Sequence, residues 1–204
     1  MKARSQANEA APAAVGFRVH SGWAALVAVT GPLTVIDRRH ITLADPSIKG
    51  SIQPYHAAEP MPFADAERLI QRCIDSSRTL AHLELRKALD DLHRKGYRAT
   101  ACGLLLASGR PLPDLAATLA SHALIHTAEG ELFRDAVAHA AARCDLPILK
   151  LRERELLDRA AARFGISATA LPRRLTDIGR TLGSPWRQDE KYAALVAALA
   201  LADA

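Results

Sequence analysis

The residues best placed to do chemistry lie between Ser121 and Arg134. If this stretch is helical, His122, His126, Glu129 and Phe133 share one face, because residues three and four apart are neighbours on a helix. Two imidazoles four residues apart, with a carboxylate one turn later, suit a divalent ion such as Zn²⁺ or Mn²⁺. His122, His126 and Glu129 are therefore the expected metal ligands. The pattern is not HExxH, and hydrogen bonding of ordinary helix histidines would also account for it. Glu129-Gly130-Glu131 with Arg134 could form a site loop. A glycine inside a helix costs about 1 kcal/mol relative to Ala, so Gly130 calls for a reason: a bend, close packing or ligand approach.

Other candidates lie further from this stretch. His20, Asp37 and His40 fall in strand-like segments. Asp37 and His40, three apart, point to opposite faces of a strand, which leaves His20 as the preferred member. Asp189 and Lys191 begin a C-terminal helix, where the helix dipole alone favours an acid. Arg173, Arg174, Arg180 and Arg187 make the last third locally basic. Arg173, Arg174, Arg187 and Lys191 are the expected phosphate contacts, with solvation as the alternative.

The elements that must position these groups can be read from patterning. The chain has 204 residues, 49% of them hydrophobic and only 4% aromatic, with net charge +5. That supports a core of aliphatic and small residues and is compatible with a polyanionic partner. Cys73, Cys102 and Cys144 form no CxxC pair, which argues against a disulfide framework or a thiolate zinc site. Residues 1–14 read as a disordered tail without an apolar signal segment, and no apolar run reaches the length of a membrane span. A cytoplasmic protein is expected, with one α/β domain over residues 15–204.

Residues 15–29 read as one long strand, with Phe17, Val19, Trp23, Ala25, Val27 and Val29 on one face. Residues 33–43 read as a second strand after a turn at Thr30-Gly31-Pro32, giving a hairpin. A short third strand is expected in 50–55. A long helix follows over 63–97, with a possible bend at Ser76-Ser77. Residues 99–107 suit a strand buried on both faces, followed by a turn at Ser108-Gly109-Arg110. Residues 112–144 are helical by composition, broken or bent around Gly130. A strand at 148–151 and helices at 153–164, 170–182 and 188–202 complete the order. No Gly-rich phosphate loop, nucleophile elbow or dinucleotide fingerprint occurs.

A hairpin followed by alternating helices and strands is similar to the ribonuclease H-like superfamily, which includes RuvC-type resolvases and DDE transposases. Val19-His20-Ser21-Gly22-Trp23-Ala24-Ala25-Leu26-Val27 resembles that fold's first strand. Residues 186–198, where Asp189 precedes an Ala-rich apolar face, resemble its closing helix. The resemblance implies a mixed sheet flanked by helices, nucleic acid as substrate or partner, and phosphodiester hydrolysis assisted by Mg²⁺ or another divalent metal. Glu129 and Asp189 would then be catalytic ligands. His20 stands where the superfamily carries an acid, and imidazole is a poor ligand for Mg²⁺. Three readings follow: a metal-dependent nuclease using Glu129, Asp189 and His20; a non-catalytic binding or assembly module of the same fold; or a metal-dependent small-molecule hydrolase on the His122/His126 face. The apolar last helix could serve a homodimer or simply face the core.

Overall fold

The computed structural model describes residues 10–107, 111–167 and 169–204. Residues 1–9, most of the expected tail, lie outside this range, as does the turn expected at Ser108-Gly109-Arg110. Strand β1 (Ala11–His20) begins four residues before the expected Val15, and Ala13 and Ala14 are fully buried.

The segment read as one strand over 15–29 is two. β1 turns at Ser21-Gly22 into β2 (Trp23–Thr30), with which it pairs antiparallel from His20↔Trp23 to Ala13↔Thr30. Gly22 takes φ 81°, which a side chain would resist. The turn also resets the alternation. Phe17 and Val19 join Ala24 and Leu26 in one core, whereas Val27 and Val29 lie in the other. The single face expected for these residues does not exist, since one turn shifts every later side chain across the sheet.

β3 (Thr34–Thr42) pairs antiparallel with β2. No third strand forms at 50–55. Instead Pro54 starts a short helix, α1 (Pro54–Ala58), at a position where its missing N–H costs nothing. α2 (Phe63–Arg94) is one continuous helix, unbroken at Ser76-Ser77. Ser77 lies within its buried stripe of Ala66, Ile70, Cys73, Ala81, Leu85, Ala88 and Leu92. β4 (Tyr97–Leu106) pairs parallel with β1 and with β5 (Ile148–Arg152), so the sheet order is β3-β2-β1-β4-β5. Only β2 runs against the rest, so the sheet is mixed and opens with a hairpin, as expected.

Between β4 and β5 lie α3 (Leu115–Leu119) and α4 (His122–Arg143). The break falls at Ala120-Ser121, and α4 passes through Gly130 without interruption. A Cβ on Gly130 would lie 2.6 Å from an Arg134 guanidinium nitrogen, so the glycine makes room for that side chain. The expected site loop is helix. After β5 come α5 (Leu156–Phe164), α6 (Ala170–Leu182) and α7 (Gln188–Ala202).

The helices form two layers. α2 and α4 cover one face of the sheet, packing Phe17, Leu26, Ile41, Leu85, Leu104 and Phe133. α5, α6 and α7 cover the other. α7 lies so close to the sheet that a Cβ on Gly16 would fall 2.1 Å from the Ala193 carbonyl oxygen, and one on Gly103 2.4 Å from that of Val196. Residues Ala193 to Ala200 of α7 are all buried within this one chain, which removes the surface that a homodimer on that helix would need. No helix among the described residues is long and apolar enough to cross a membrane.

Candidate functional site

β1 and β4 run parallel, so their carboxyl ends lie on the same edge of the sheet. In open α/β sheets this edge is the usual ligand crevice. Two polar clusters flank it, one on each face of the sheet.

The first lies toward α7. Arg18 and His20 alternate along β1 and so project from the same face. Arg18 bridges two acids from distant parts of the chain. Its Nε and Nη2 donate to the two carboxylate oxygens of Glu153, at 3.0 and 2.9 Å, and its Nη1 donates to Asp189 in the first turn of α7. The guanidinium also lies 5.5 Å from the centre of the Tyr192 ring. His20 Nε2 lies 2.7 Å from the same Asp189 oxygen. Burial pushes the Asp189 carboxyl up, but the bonds from His20 and Arg18 outweigh it and hold the group below its ordinary value.

The hairpin adds an aromatic ladder. His20 stacks on Trp23 at 4.5 Å, and Trp23 meets His40 at 4.6 Å. His40 Nε2 sits 2.9 Å from Glu190, whose other oxygen accepts the Arg187 backbone N–H at 2.7 Å. Burial pushes Glu190 up as well, and the Arg187 N–H and His40 together bring it below its usual value. Asp37 does point to the opposite face, as expected, where it binds Arg39 and Lys95. His40, however, joins His20 through Trp23, a connection hidden until the Ser21-Gly22 turn is known.

A cleft of about 540 Å³ opens beside this cluster, lined by Leu106, Arg152, Glu153, Arg154, Leu157 and Tyr192. A two-metal carboxylate centre does not fit here. Glu153 and Asp189 are held by a guanidinium, and Glu190 closes the start of α7. The residue that decides this, Arg18, carried no signal in the sequence beyond lying two positions before His20.

The second cluster lies on the α4 side. His122 and His126 share a face as expected, and both are exposed, whereas Ile125, Glu129 and Phe133 are buried. His56 from α1 joins them. Ring centres are 4.6 Å apart for His122–His126, 4.7 Å for His56–His126 and 5.4 Å for His56–His122. Glu129 does not face outward with the histidines. Its Oε1 accepts from the backbone N–H groups of Tyr55 and His56, at 2.9 and 3.0 Å, and from His56 Nδ1 at 3.1 Å. It thereby caps α1, whose own N-cap residue Gln53 makes no side-chain bond. Burial pushes its carboxyl above the ordinary value despite the His56 and Tyr55 bonds. His56 escaped sequence reasoning because the residues just before it, 50–55, read as a strand, which hid the helix α1 that carries it.

Glu129 and Asp189 therefore belong to helix layers on opposite sides of the sheet and do not form one catalytic pair. His20 joins Asp189 but not the other histidines. Of the expected phosphate contacts, Arg173 and Arg174 are exposed on α6, Arg187 is exposed at the start of α7, and Lys191 is partly buried. Trp186 ties the two helices together by donating its indole N–H to the Leu175 carbonyl at 2.6 Å.

Two solved structures are similar to this chain. One is Thermus thermophilus RuvC in complex with Holliday junction substrate, with 13% identity and TM-score 0.49, covering 91% of this chain and 90% of that one. The other is Thermus thermophilus RuvC, with 13% identity and TM-score 0.45, covering 91% of each. The likeness is one of fold at low sequence identity. No protein-family model and no curated protein matches.

Proposed function

We propose that this chain is a nucleic-acid-binding protein of ribonuclease H-like architecture whose carboxylate edge holds rather than cuts. The observation that carries the non-catalytic part is Arg18 bound between Glu153 and Asp189. Hydrolysis by paired divalent ions needs carboxylates free to ligate them. Here a fixed organic cation takes that place, and His20 and His40 hold the neighbouring acids. Binding is supported by the net charge of +5 and by Arg152 and Arg154 lining the cleft beside Arg18. Arg173, Arg174 and Arg187 extend exposed positive charge along α6 and the start of α7. Such contacts act on phosphate without reading sequence.

The test is fluorescence anisotropy of the full chain with labelled duplex, single-stranded and four-way-junction DNA at graded salt. Affinity should fall linearly in log–log form with salt. Each phosphate-contacting Arg removed should lower the slope by about 0.9. Replacing Arg173, Arg174 and Arg187 together should weaken binding about tenfold or more without unfolding the chain. No strand cleavage is expected in Mg²⁺ or Mn²⁺. Cleavage that disappears in Asp189→Asn would reverse the reading, and so would an absence of salt-dependent binding to any of the three DNAs.

A further inference from the structure

We infer that His56, His122 and His126 form a Zn²⁺ site with an open coordination position, in which Glu129 positions His56. The inference is independent of nucleic-acid binding and of the α7-side carboxylates. Each of the three histidines can offer one ring nitrogen, and these atoms all lie within 4.8 Å of one another. His122 Nε2 and His126 Nε2 are already 3.1 Å apart. Two nitrogens on one tetrahedral Zn²⁺, at 2.0–2.1 Å from the metal, are separated by about 3.3 Å. The third corner needs only rotation of partly exposed rings. Imidazole nitrogens favour Zn²⁺ over the hard ions Mg²⁺ and Ca²⁺.

Glu129 supplies an independent observation. Its side chain is 4% exposed, and Oε1 accepts all three of its bonds. Oε2 is buried without a partner among the described residues. A buried carboxylate with one orphan oxygen is costly on its own. A divalent cation one imidazole away would offset that cost. His56 turns Nδ1 to Glu129 at 3.1 Å, which leaves Nε2 as the nitrogen free to ligate. This is the carboxylate–histidine–metal relay found around protein zinc. Three protein nitrogens leave the fourth position to water or a ligand, the pattern of reactive rather than structural zinc. His56 also lines an open depression of about 810 Å³, together with Gly22, Ala44, Ile48, Ile52 and Gln53, so that position has access to solvent.

The test is titration of the chelator-stripped full chain with ZnCl₂ by calorimetry, with metal content by mass spectrometry and Co²⁺ as a spectroscopic probe. Wild type should bind one equivalent and give the intense visible absorption of four-coordinate Co²⁺. His122→Ala and His126→Ala, both at exposed positions, should fold normally by circular dichroism and lose at least about 100-fold in affinity. Glu129→Gln should keep the stoichiometry and the cobalt spectrum but bind about 10–100-fold more weakly. His82→Ala and His139→Ala should bind as wild type does. Failure of wild type to bind stoichiometrically would overturn the site, as would binding that persists in both the His122 and His126 variants. Unchanged affinity in Glu129→Gln would remove Glu129 from it.

Discussion

Replacing Arg18 by Met keeps an unbranched apolar stem and deletes the charge between Glu153 and Asp189, together with the guanidinium's place over the Tyr192 ring. The three side chains are 17%, 37% and 22% exposed, neither fully buried nor free in water. Hydrogen bonds to charged groups contribute about 1.5–3 kcal/mol when well sheltered. Exposed ion pairs contribute about 0–1 kcal/mol. A value of about 1 kcal/mol per carboxylate is appropriate at this depth, and the contact with Tyr192 adds about 0.5 kcal/mol. Relief of the buried guanidinium's lost hydration offsets part of this, so the expected destabilisation is about 2 kcal/mol. For a chain of this size that lowers Tm by about 4–8 °C. The pH dependence has a definite sign. Asp189 titrates below its ordinary value in the folded protein. Its ion pairs therefore contribute stability above about pH 4, near the unfolded carboxylate value, and that contribution is lost as pH falls through the lower folded value. Urea denaturation at pH 7 and at pH 3 should thus show a wide gap between wild type and Arg18→Met that narrows in acid. Equal stability at pH 7, or a gap that does not change with pH, would refute the account of Arg18 as the cation that closes this edge.

Three further outcomes follow from the packing. Gly16→Ala puts a methyl 2.1 Å from the Ala193 carbonyl oxygen on a central strand, so α7 must move away. A loss of about 3 kcal/mol or failure to fold is expected by chemical denaturation. Gly31→Ala has no heavy atom within 4 Å and carries only the strain of φ 55°, about 1 kcal/mol. The Cys102 thiol, fully buried on β4, is pushed up to about 12 by burial. It should resist a thiol reagent at pH 8 in the native protein, as timed mass mapping would show, and react once the chain is unfolded.

The elements with unambiguous periodicity were legible. The helix expected over 63–97 runs from Phe63 to Arg94, the strand expected over 99–107 runs from Tyr97 to Leu106, and the last helix spans 188–202 as expected. Errors gathered where one backbone torsion outweighs patterning. Ser21-Gly22 looks like two residues in a continuous alternating run, yet φ 81° at Gly22 folds the run back and moves Trp23, Ala25, Val27 and Val29 to the other face. Pro54 looks like the end of a strand but is the first residue of a helix. At Gly130 the sequence signals a break, whereas the structure uses the missing side chain to lay Arg134 along the helix.

The candidate residues were read only as far as local geometry reaches. Helical spacing does place His122 and His126 together, because four residues fix one turn. It also places Glu129 on their face, but what a face meets changes along the helix axis. Over the first turns of α4, Ile125 is buried while His122 and His126 are exposed, and one turn further on Glu129 is covered by α1. The carboxylate that spacing assigned to an ion is therefore turned onto the back of a third histidine, 73 residues away in sequence. The same reasoning explains Arg18. Its partners Glu153 and Asp189 lie 135 and 171 residues away, and no window of sequence contains all three. Only the parallel pairing of β1 with β4 and the close seating of α7 over Gly16 and Gly103 bring them together. The glycines that admit α7 to the sheet thus also deliver Asp189 to Arg18, so that packing at the middle of β1 sets the electrostatics at its end.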